Sequence, residues 1–179
     1  MALKATIFKA DLQISDMDRH YYQNHNLTLA RHPSETDERL MVRILAFAMF
    51  AHENLQFSKG LSTDDEPELW QRSLSDEIEL WIDLGQLDEK RIRKACNRAE
   101  KVCVYTYQER SATVWWQQIE NKVQRFSNLQ VIHLADDVSK SLAALCNRNM
   151  QLQCTIQDGQ IWLSDDQNSV HIIPVYWKQ

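Results

Sequence analysis

Residues 78–90 read Ile78-Glu79-Leu80-Trp81-Ile82-Asp83-Leu84-Gly85-Gln86-Leu87-Asp88-Glu89-Lys90, and they join a strand to the start of a helix. Up to Leu84 apolar residues recur at every second position, which is the period of a strand. Gly85 supplies a turn and Asp88 a helix N-cap, and the predicted helix extends to about Glu100. A strand that leads into a helix in this way is typical of a fold in which helices and strands alternate.

The same alternation continues on both sides of this stretch. Further strands are predicted at 67–72, 102–107 and 129–134, and further helices at 112–126 and 136–146. A helix capped by Ser34 is expected to bury the apolar run Leu40 to Ala51.

Turn-forming residues predict antiparallel hairpins at both ends of the chain. At the amino end, residues 4–15 and 20–31 form one hairpin; at the carboxyl end, hairpins surround Asp158-Gly159 and residues 165–168. The fold class is therefore α/β (α+β), a mixed sheet flanked by helices with additional antiparallel hairpins from the N- and C-terminal segments.

Length and composition predict a single domain over residues 1–179, because chains of this size normally close around one core. The 25 acidic residues against 20 Lys and Arg give a net charge of −5, which excludes a uniformly basic nucleic-acid coat but allows a local basic patch. With three glycines, a P-loop or dinucleotide-binding loop is excluded.

The cysteines and the hydropathy both indicate a cytoplasmic protein. The four cysteines form no C-x-x-C pair and are expected to be reduced thiols rather than zinc ligands. No apolar run approaches the roughly 18 residues that span a bilayer, and the first residues lack the apolar core of a signal peptide, so no membrane association is expected.

Acidic residues on one strand face form the first candidate site. Alternation places Glu79, Trp81 and Asp83 together, and Glu68 on the preceding segment can add a third carboxylate. An oxygen-rich group of this kind suits Mg²⁺ or Mn²⁺, with Glu68, Glu79 and Asp83 as the ligands. The alternative is a solvated sheet face with scattered acids.

Basic residues on two helices form the second candidate site. Arg39 and Arg43 lie on one stripe of the first helix, and Arg43 sits within an apolar run, so its guanidinium needs a carboxylate or a phosphate. Glu79, Asp83, Glu53 and a bound anion are the candidate partners, so both an internal ion pair and a phosphate contact fit the sequence.

The second of these helices is the one that starts after Asp88. Residues 90–101 contain six basic residues and one acid, Glu100. Cations just beyond paired carboxylates are what a phosphodiester site needs, whereas a merely solvated helix is the alternative. Trp115 and Trp116 can stack on bases, but adjacent helical aromatics point to different faces, so a place in the core is favoured.

Three segments, Ala30–Arg39, Asp65–Trp70 and Ile82–Cys96, resemble the YaeQ family of Gram-negative bacterial proteins. The similarity extends over the whole chain. The resemblance implies a variant of the PD-(D/E)XK nuclease fold and brings little settled function, because the family is essentially uncharacterised.

Carried over by position, Pro67-Glu68 resembles the family's Pro-Asp element, with Glu in place of the usual Asp. The second acid of the nuclease motif is then Glu79 or Asp83. The position of the motif's lysine holds Trp81 in the first case and Gly85 in the second, so the lysine is missing.

Other residues are expected to take the role of that lysine: Lys90 or Lys94 from the next helix, or Gln86 acting on the attacking water. Glu53 on the first long helix is the expected accessory acid.

The resulting hypothesis is a metal-dependent nuclease with a degenerate site that cleaves DNA or RNA using Mg²⁺ or Mn²⁺. Its catalytic residues are Glu68, Glu79, Asp83, Gln86 and Lys94, and Arg39, Arg43 and Lys90 contact the substrate. The competing hypothesis is a noncatalytic protein that binds nucleic acid or a protein of the transcription machinery. In a third, the charged residues form a purely structural network.

Overall fold

The computed structural model describes residues 4–58 and 65–179, and within these ranges the fold is mixed α/β with four helices and eleven strands. In chain order the elements are β1 (Thr6–Asp16), β2 (Tyr21–Arg31), α1 (Asp37–Met49), β3 (Leu55–Phe57), β4 (Leu69–Arg72), β5 (Ile78–Leu84), α2 (Glu89–Arg98), β6 (Ala99–Thr106), α3 (Glu109–Val123), β7 (Leu129–His133), α4 (Asp136–Ala143), β8 (Asn149–Gln157), β9 (Gln160–Ser164), β10 (Ser169–Ile172) and β11 (Val175–Lys178).

The chain forms two compact units. Unit 1 contains the described residues up to Met49 together with Asp137–Pro174, and unit 2 contains Phe50–Asp136 and Val175–Gln179. Each unit has its own mixed sheet. The single domain predicted over residues 1–179 stays a prediction.

The sheet of unit 1 has the strand order β10-β9-β8-β1-β2. β1 is antiparallel to β2 and parallel to β8, so a strand from the carboxyl-terminal part of the chain lies beside the amino-terminal hairpin. The predicted hairpins are confirmed, and the turn at Asp158-Gly159 has φ of 53° and 73°, as a tight hairpin turn requires. Asp18 joins the two hairpin tips, because its carboxylate accepts the N–H groups of both turn residues at 2.8 and 2.9 Å.

α1 is the most buried helix of unit 1, with every residue from Leu40 to Ala48 buried. The helix starts later and ends earlier than predicted. The Thr36 hydroxyl, not that of Ser34, accepts the Arg39 N–H at 3.1 Å, while Ser34 bonds His32. Because α1 ends at Met49, Glu53 lies in a turn and not on the helix, contrary to expectation.

The sheet of unit 2 has the order β11-β7-β6-β5-β4-β3, with β5, β6 and β7 parallel. α2 connects β5 to β6 and α3 connects β6 to β7, and both helices pack on the same face of the sheet around Trp81, Val104 and Val131. β5 has the bounds predicted for it. Gly85 follows it with φ of 103°, a backbone conformation that favours glycine.

Two edge strands, β3 and β11, were not predicted from the sequence. They have three and four residues, and each is defined by its pairing, β3 with β4 and β11 with β7. All four cysteines are free in the structure, and burial raises the pKa of Cys154 to about 12; their predicted reduced state stays a prediction. No helix in the described part of the chain combines the length and apolar composition needed to cross a membrane.

Candidate functional site

The candidate site of unit 2 is built where β5 leads into α2. Gly85 reverses the chain after Leu84, and the Asp88 side chain caps α2 by accepting the Arg91 N–H at 2.8 Å. The cap fixes the first turn of α2, so the side chain of Arg91 returns toward the carboxyl end of β5. The local sequence therefore places a helix with several cations directly beside the last acid of the strand.

Asp83 is almost fully buried, at 2% exposure, and three N–H groups bind its carboxylate. Arg91 donates from Nε to Oδ2 at 3.0 Å and from Nη2 to Oδ1 at 3.1 Å. Trp81, two residues earlier on the same strand face, donates its indole N–H to Oδ2 at 2.9 Å. Both carboxylate oxygens are thus hydrogen-bonded, and the buried negative charge is compensated by a guanidinium.

The other predicted metal ligands lie along the β4–β5 hairpin. The Glu79 carboxylate accepts a hydrogen bond from Gln71 Nε2 at 3.1 Å. Four residues of extended strand separate the Cα atoms of Glu79 and Asp83 by about 13 Å, so a single cation would take one of the two. The Glu68 N–H donates to the Ile82 carbonyl at 3.0 Å, which brings the Glu68 backbone beside the residue that precedes Asp83.

Across residues 4–58 and 65–179, no group of three or more His, Cys, Asp or Glu side chains is placed to hold a metal ion. The site for Mg²⁺ or Mn²⁺ formed by Glu68, Glu79 and Asp83 stays a prediction. The structure does support the period-two prediction that places Trp81 and Asp83 on one face.

A cleft of about 300 Å³ is lined by Asp88 and by three cationic residues of α2, Lys90, Arg91 and Lys94. The Lys94 ammonium pairs with Asp65, and Arg98 donates to the Asp65 carbonyl at 2.7 Å. The hydrogen bond and the charge of Lys94, with a smaller contribution from Arg98, lower the pKa of Asp65. Lys90 is exposed and has no ion-pair partner among the residues that the structure describes.

Gln86, the predicted substitute for the missing lysine, lies in the turn between β5 and α2. Its side chain donates from Nε2 to the Ser111 hydroxyl of α3 at 2.7 Å, and it is exposed. This hydrogen bond links the turn between β5 and α2 to the start of α3.

The predicted substrate arginines of α1 form a buried ion-pair cluster within unit 1. Arg39 Nη1 and Arg43 Nη2 each lie 2.6 Å from a different oxygen of Glu35, whose side chain is 1% exposed. Glu35, which was not among the candidate partners, pairs with Arg43, and the internal ion pair is the alternative that the geometry supports. Residues 35, 39 and 43 are spaced by four, which is a signal in the sequence that could have identified Glu35.

Trp115 and Trp116 both pack against the hydrophobic core of unit 2, which supports a place in the core over base stacking. The Trp115 indole N–H donates to the Leu87 carbonyl at 2.6 Å, so α3 also holds the loop before α2. Arg91 is not among the site residues predicted from the sequence, because its contact with Asp83 depends on the turn between them.

Comparisons with known proteins identify the same family along nearly the whole length of the chain. The model of the family described as YaeQ protein matches residues 1–174. The chain is 51% identical over 179 residues to the protein named "Uncharacterized protein YaeQ" from Escherichia coli (strain K12), covering 100% of this chain and 99% of that protein.

Two crystal structures have a closely similar fold. The YaeQ protein from Xanthomonas axonopodis pv. citri superposes with a TM-score of 0.93 at 51% identity, covering 97% of this chain and 98% of the other. The YaeQ protein from Pseudomonas syringae superposes with a TM-score of 0.93 at 33% identity, covering 98% and 97% of the two chains.

Proposed function

We propose that this chain, which belongs to the YaeQ family, binds the phosphate backbone of DNA or RNA through α2 without hydrolysing it. The geometry of the chain's own site supports this proposal. We further propose that unit 2 is a variant of the PD-(D/E)XK nuclease core. The order of its elements supports this, since an acid-bearing β4–β5 hairpin is followed by α2 and by the parallel strand β6.

The observation that carries the proposal is the contact between Arg91 and Asp83. A metal ligand needs lone pairs directed at the cation. The Asp83 carboxylate has about four and already accepts three N–H groups, so a cation would have to displace these donors or compete with them. The guanidinium also places a positive charge where a divalent cation would have to bind, and the two would repel each other. An arginine bound to Asp83 favours a site that keeps its acidic and basic side chains but does not bind a catalytic metal ion.

The cations of the cleft support binding of a polyanion. Lys90 and Lys94 are exposed on successive turns of α2, at the spacing of neighbours on one helix face. Both side chains of the Lys94–Asp65 ion pair are exposed to solvent. Because exposed ion pairs stabilise a fold little, a phosphate can replace the Asp65 carboxylate. Sequence-independent binding of this type depends on neutralised phosphates.

Metal-dependent hydrolysis is the second candidate function. The Glu68 backbone lies beside the end of β5, so a rotation of Arg91 away from Asp83 would leave Glu68 and Asp83 as ligands for Mg²⁺ or Mn²⁺. Gln86 and Lys94 would then orient the attacking water or stabilise the developing charge.

The first prediction concerns affinity for nucleic acid. The purified protein is titrated with fluorescein-labelled single-stranded DNA, duplex DNA and RNA in EDTA, at about 50 and about 200 mM salt. We expect saturable, salt-sensitive binding. The slope of log affinity against log salt for duplex DNA is negative, and in Lys90→Ala/Lys94→Ala its magnitude should decrease by about 2, since each phosphate contact contributes about 0.9.

Lys122→Ala/Lys140→Ala is the matched control, because both lysines are exposed on other helices and their loss should leave the affinity unchanged. Absence of binding by the wild type, or equal slopes for the two double variants, would contradict the proposal. A parallel incubation of plasmid and RNA with Mn²⁺ should give no cleavage. Cleavage that is abolished in Asp83→Asn would instead establish the hydrolytic function.

A further inference from the structure

The five-stranded sheet of unit 1 has one buried face and one solvent-exposed face. In β1, for instance, Ala10, Leu12 and Ile14 are at most 2% exposed, and the residues between them point to the other side. The solvent face contains Ile7, Lys9, Asp11, Gln13 and Ser15 of β1; Tyr22, Asn24, Asn26, Thr28 and Ala30 of β2; Asn149, Gln151, Gln153, Thr155 and Gln157 of β8; Gln160, Trp162 and Ser164 of β9; and Ser169 and His171 of β10.

This face is rich in amides and poor in charge. Within its five strands, all of which the structure describes, Lys9 and Asp11 are the only Lys, Arg, Asp or Glu residues on the solvent side, and their charges cancel. Asparagine is disfavoured in strands, yet Asn24, Asn26 and Asn149 lie here. Such departures from local preference are typical of functional surfaces.

One row of side chains crosses all five strands. The registers align His171 with Trp162, Trp162 with Thr155, Thr155 with Ser15, and Ser15 with Tyr22. Trp162 and Tyr22 are three strand spacings apart, or about 14 Å. In this row, which we call the trough, two small hydroxyl residues lie between two aromatic ones.

The ring at one side of the trough is held in place. Trp162 stacks on His171 with ring centroids 4.8 Å apart and planes inclined by 6°. His171 in turn hydrogen-bonds through Nε2 to Gln160 Oε1 at 2.7 Å. At the opposite side Tyr22 is 56% exposed. The trough therefore presents one fixed and one accessible aromatic side chain.

A parallel row of polar side chains runs next to the trough. The registers align Ser164 with Gln153, Gln153 with Gln13, and Gln13 with Asn24. Each amide both donates and accepts hydrogen bonds. A ligand that lies across the trough would thus meet alternating donors and acceptors along one side.

We propose that this face binds a neutral oligosaccharide. The C–H face of a sugar ring packs on Trp162 or Tyr22, and its hydroxyl groups, which also donate and accept, pair with the amide row. The near absence of charge matches an uncharged ligand. A nucleic acid fits poorly, because its affinity depends on cations at the phosphates and Lys9 is balanced by Asp11. This surface belongs to unit 1, whereas the α2 cleft of the proposed function belongs to unit 2.

The test uses the full chain titrated with maltohexaose, cellohexaose and chitohexaose and followed by isothermal calorimetry. We expect saturable binding of at least one of the three. Trp162→Ala and Tyr22→Ala should each weaken it at least about tenfold, whereas Trp162→Phe, which keeps a ring, should retain most of it. Tyr176→Ala is the matched control, because this tyrosine is also exposed, at 41%, but lies on β11 of unit 2.

Gln13→Ala/Gln153→Ala provides a second probe that leaves the aromatic packing intact, and it too should weaken binding. The absence of saturable binding to all three hexasaccharides would overturn the proposal. So would unchanged affinity in Tyr22→Ala and in the double glutamine variant. Binding of oligouridylate that is lost in these same variants would assign the face to nucleic acid and contradict the proposal as well.

Discussion

Glu35 is the residue on which the buried arginine cluster of α1 depends. Its carboxylate binds Arg39 and Arg43, and Arg43 is itself only 5% exposed. Arg43 Nη2 also donates to the Ala30 carbonyl of β2 at 3.2 Å, so the same guanidinium links α1 to the sheet of its unit. Removal of the carboxylate charge would take away the anion that pairs with a buried arginine, which is much more costly than loss of an exposed pair.

Glu35→Gln is therefore expected to lower the free energy of unfolding by about 3 kcal/mol. The measurement is urea unfolding, in which the midpoint should fall at an unchanged slope. Asp37→Asn is the control, because the pair of Asp37 with Arg31 is exposed and its loss should cost at most about 1 kcal/mol. Equal effects of the two substitutions would show that Glu35 does not have this role.

At the scale of elements, local signals predicted strands, caps and hairpins, whereas pairings between distant segments of the chain were not predicted. The strand 78–84 and the cap at Asp88 were predicted because period-two alternation and capping are properties of neighbouring residues. β3 and β11 escaped prediction because such short strands exist through their partners. The parallel pairing of β1 with β8 joins distant parts of the chain, so no local pattern could reveal a second sheet.

The same distinction applies to the candidate site. The shared face of Trp81 and Asp83 follows from alternation, and the basic character of α2 is visible in the sequence. That Arg91 binds Asp83 depends on the geometry of the turn after Gly85, which composition does not encode. Sequence reasoning therefore found the charges of the site but not how they are paired.

The cap of α2 gives a prediction for this element. Asp88→Ala removes the acceptor of the Arg91 N–H and should lower the free energy of unfolding by about 1 kcal/mol, whereas Asp88→Asn, which retains a capping oxygen, should cost much less. Urea unfolding distinguishes the two. If both variants were equally destabilised, charge rather than capping would be the cause, as expected from the helix dipole.

At the scale of the whole molecule, histidines with lowered pKa values make the stability depend on pH. Burial is the largest cause that lowers the pKa of His133, and nearby Glu109 and Asp136 oppose it; burial also lowers the pKa of His25. The folded state therefore binds fewer protons than the unfolded state, where the pKa is about 6.5. This contribution to stability is fully present above that value and is lost as the pH falls below it.

The free energy of unfolding, measured in urea at about pH 7 and about pH 5, should accordingly be smaller at the lower pH. His133→Gln should reduce the difference between the two free energies, because the glutamine side chain does not titrate. The part of the difference that is due to His25 should remain. His20→Asn is the control: His20 is exposed with φ of 55°, a conformation that asparagine tolerates, so its loss should leave the difference unchanged. An identical pH dependence in wild type and His133→Gln would mean that His133 is protonated equally in the folded and unfolded states. The rings of His133 and Trp177 stack with their centroids 4.2 Å apart. This stacking would then have to be equally stable with a charged imidazolium and with a neutral imidazole.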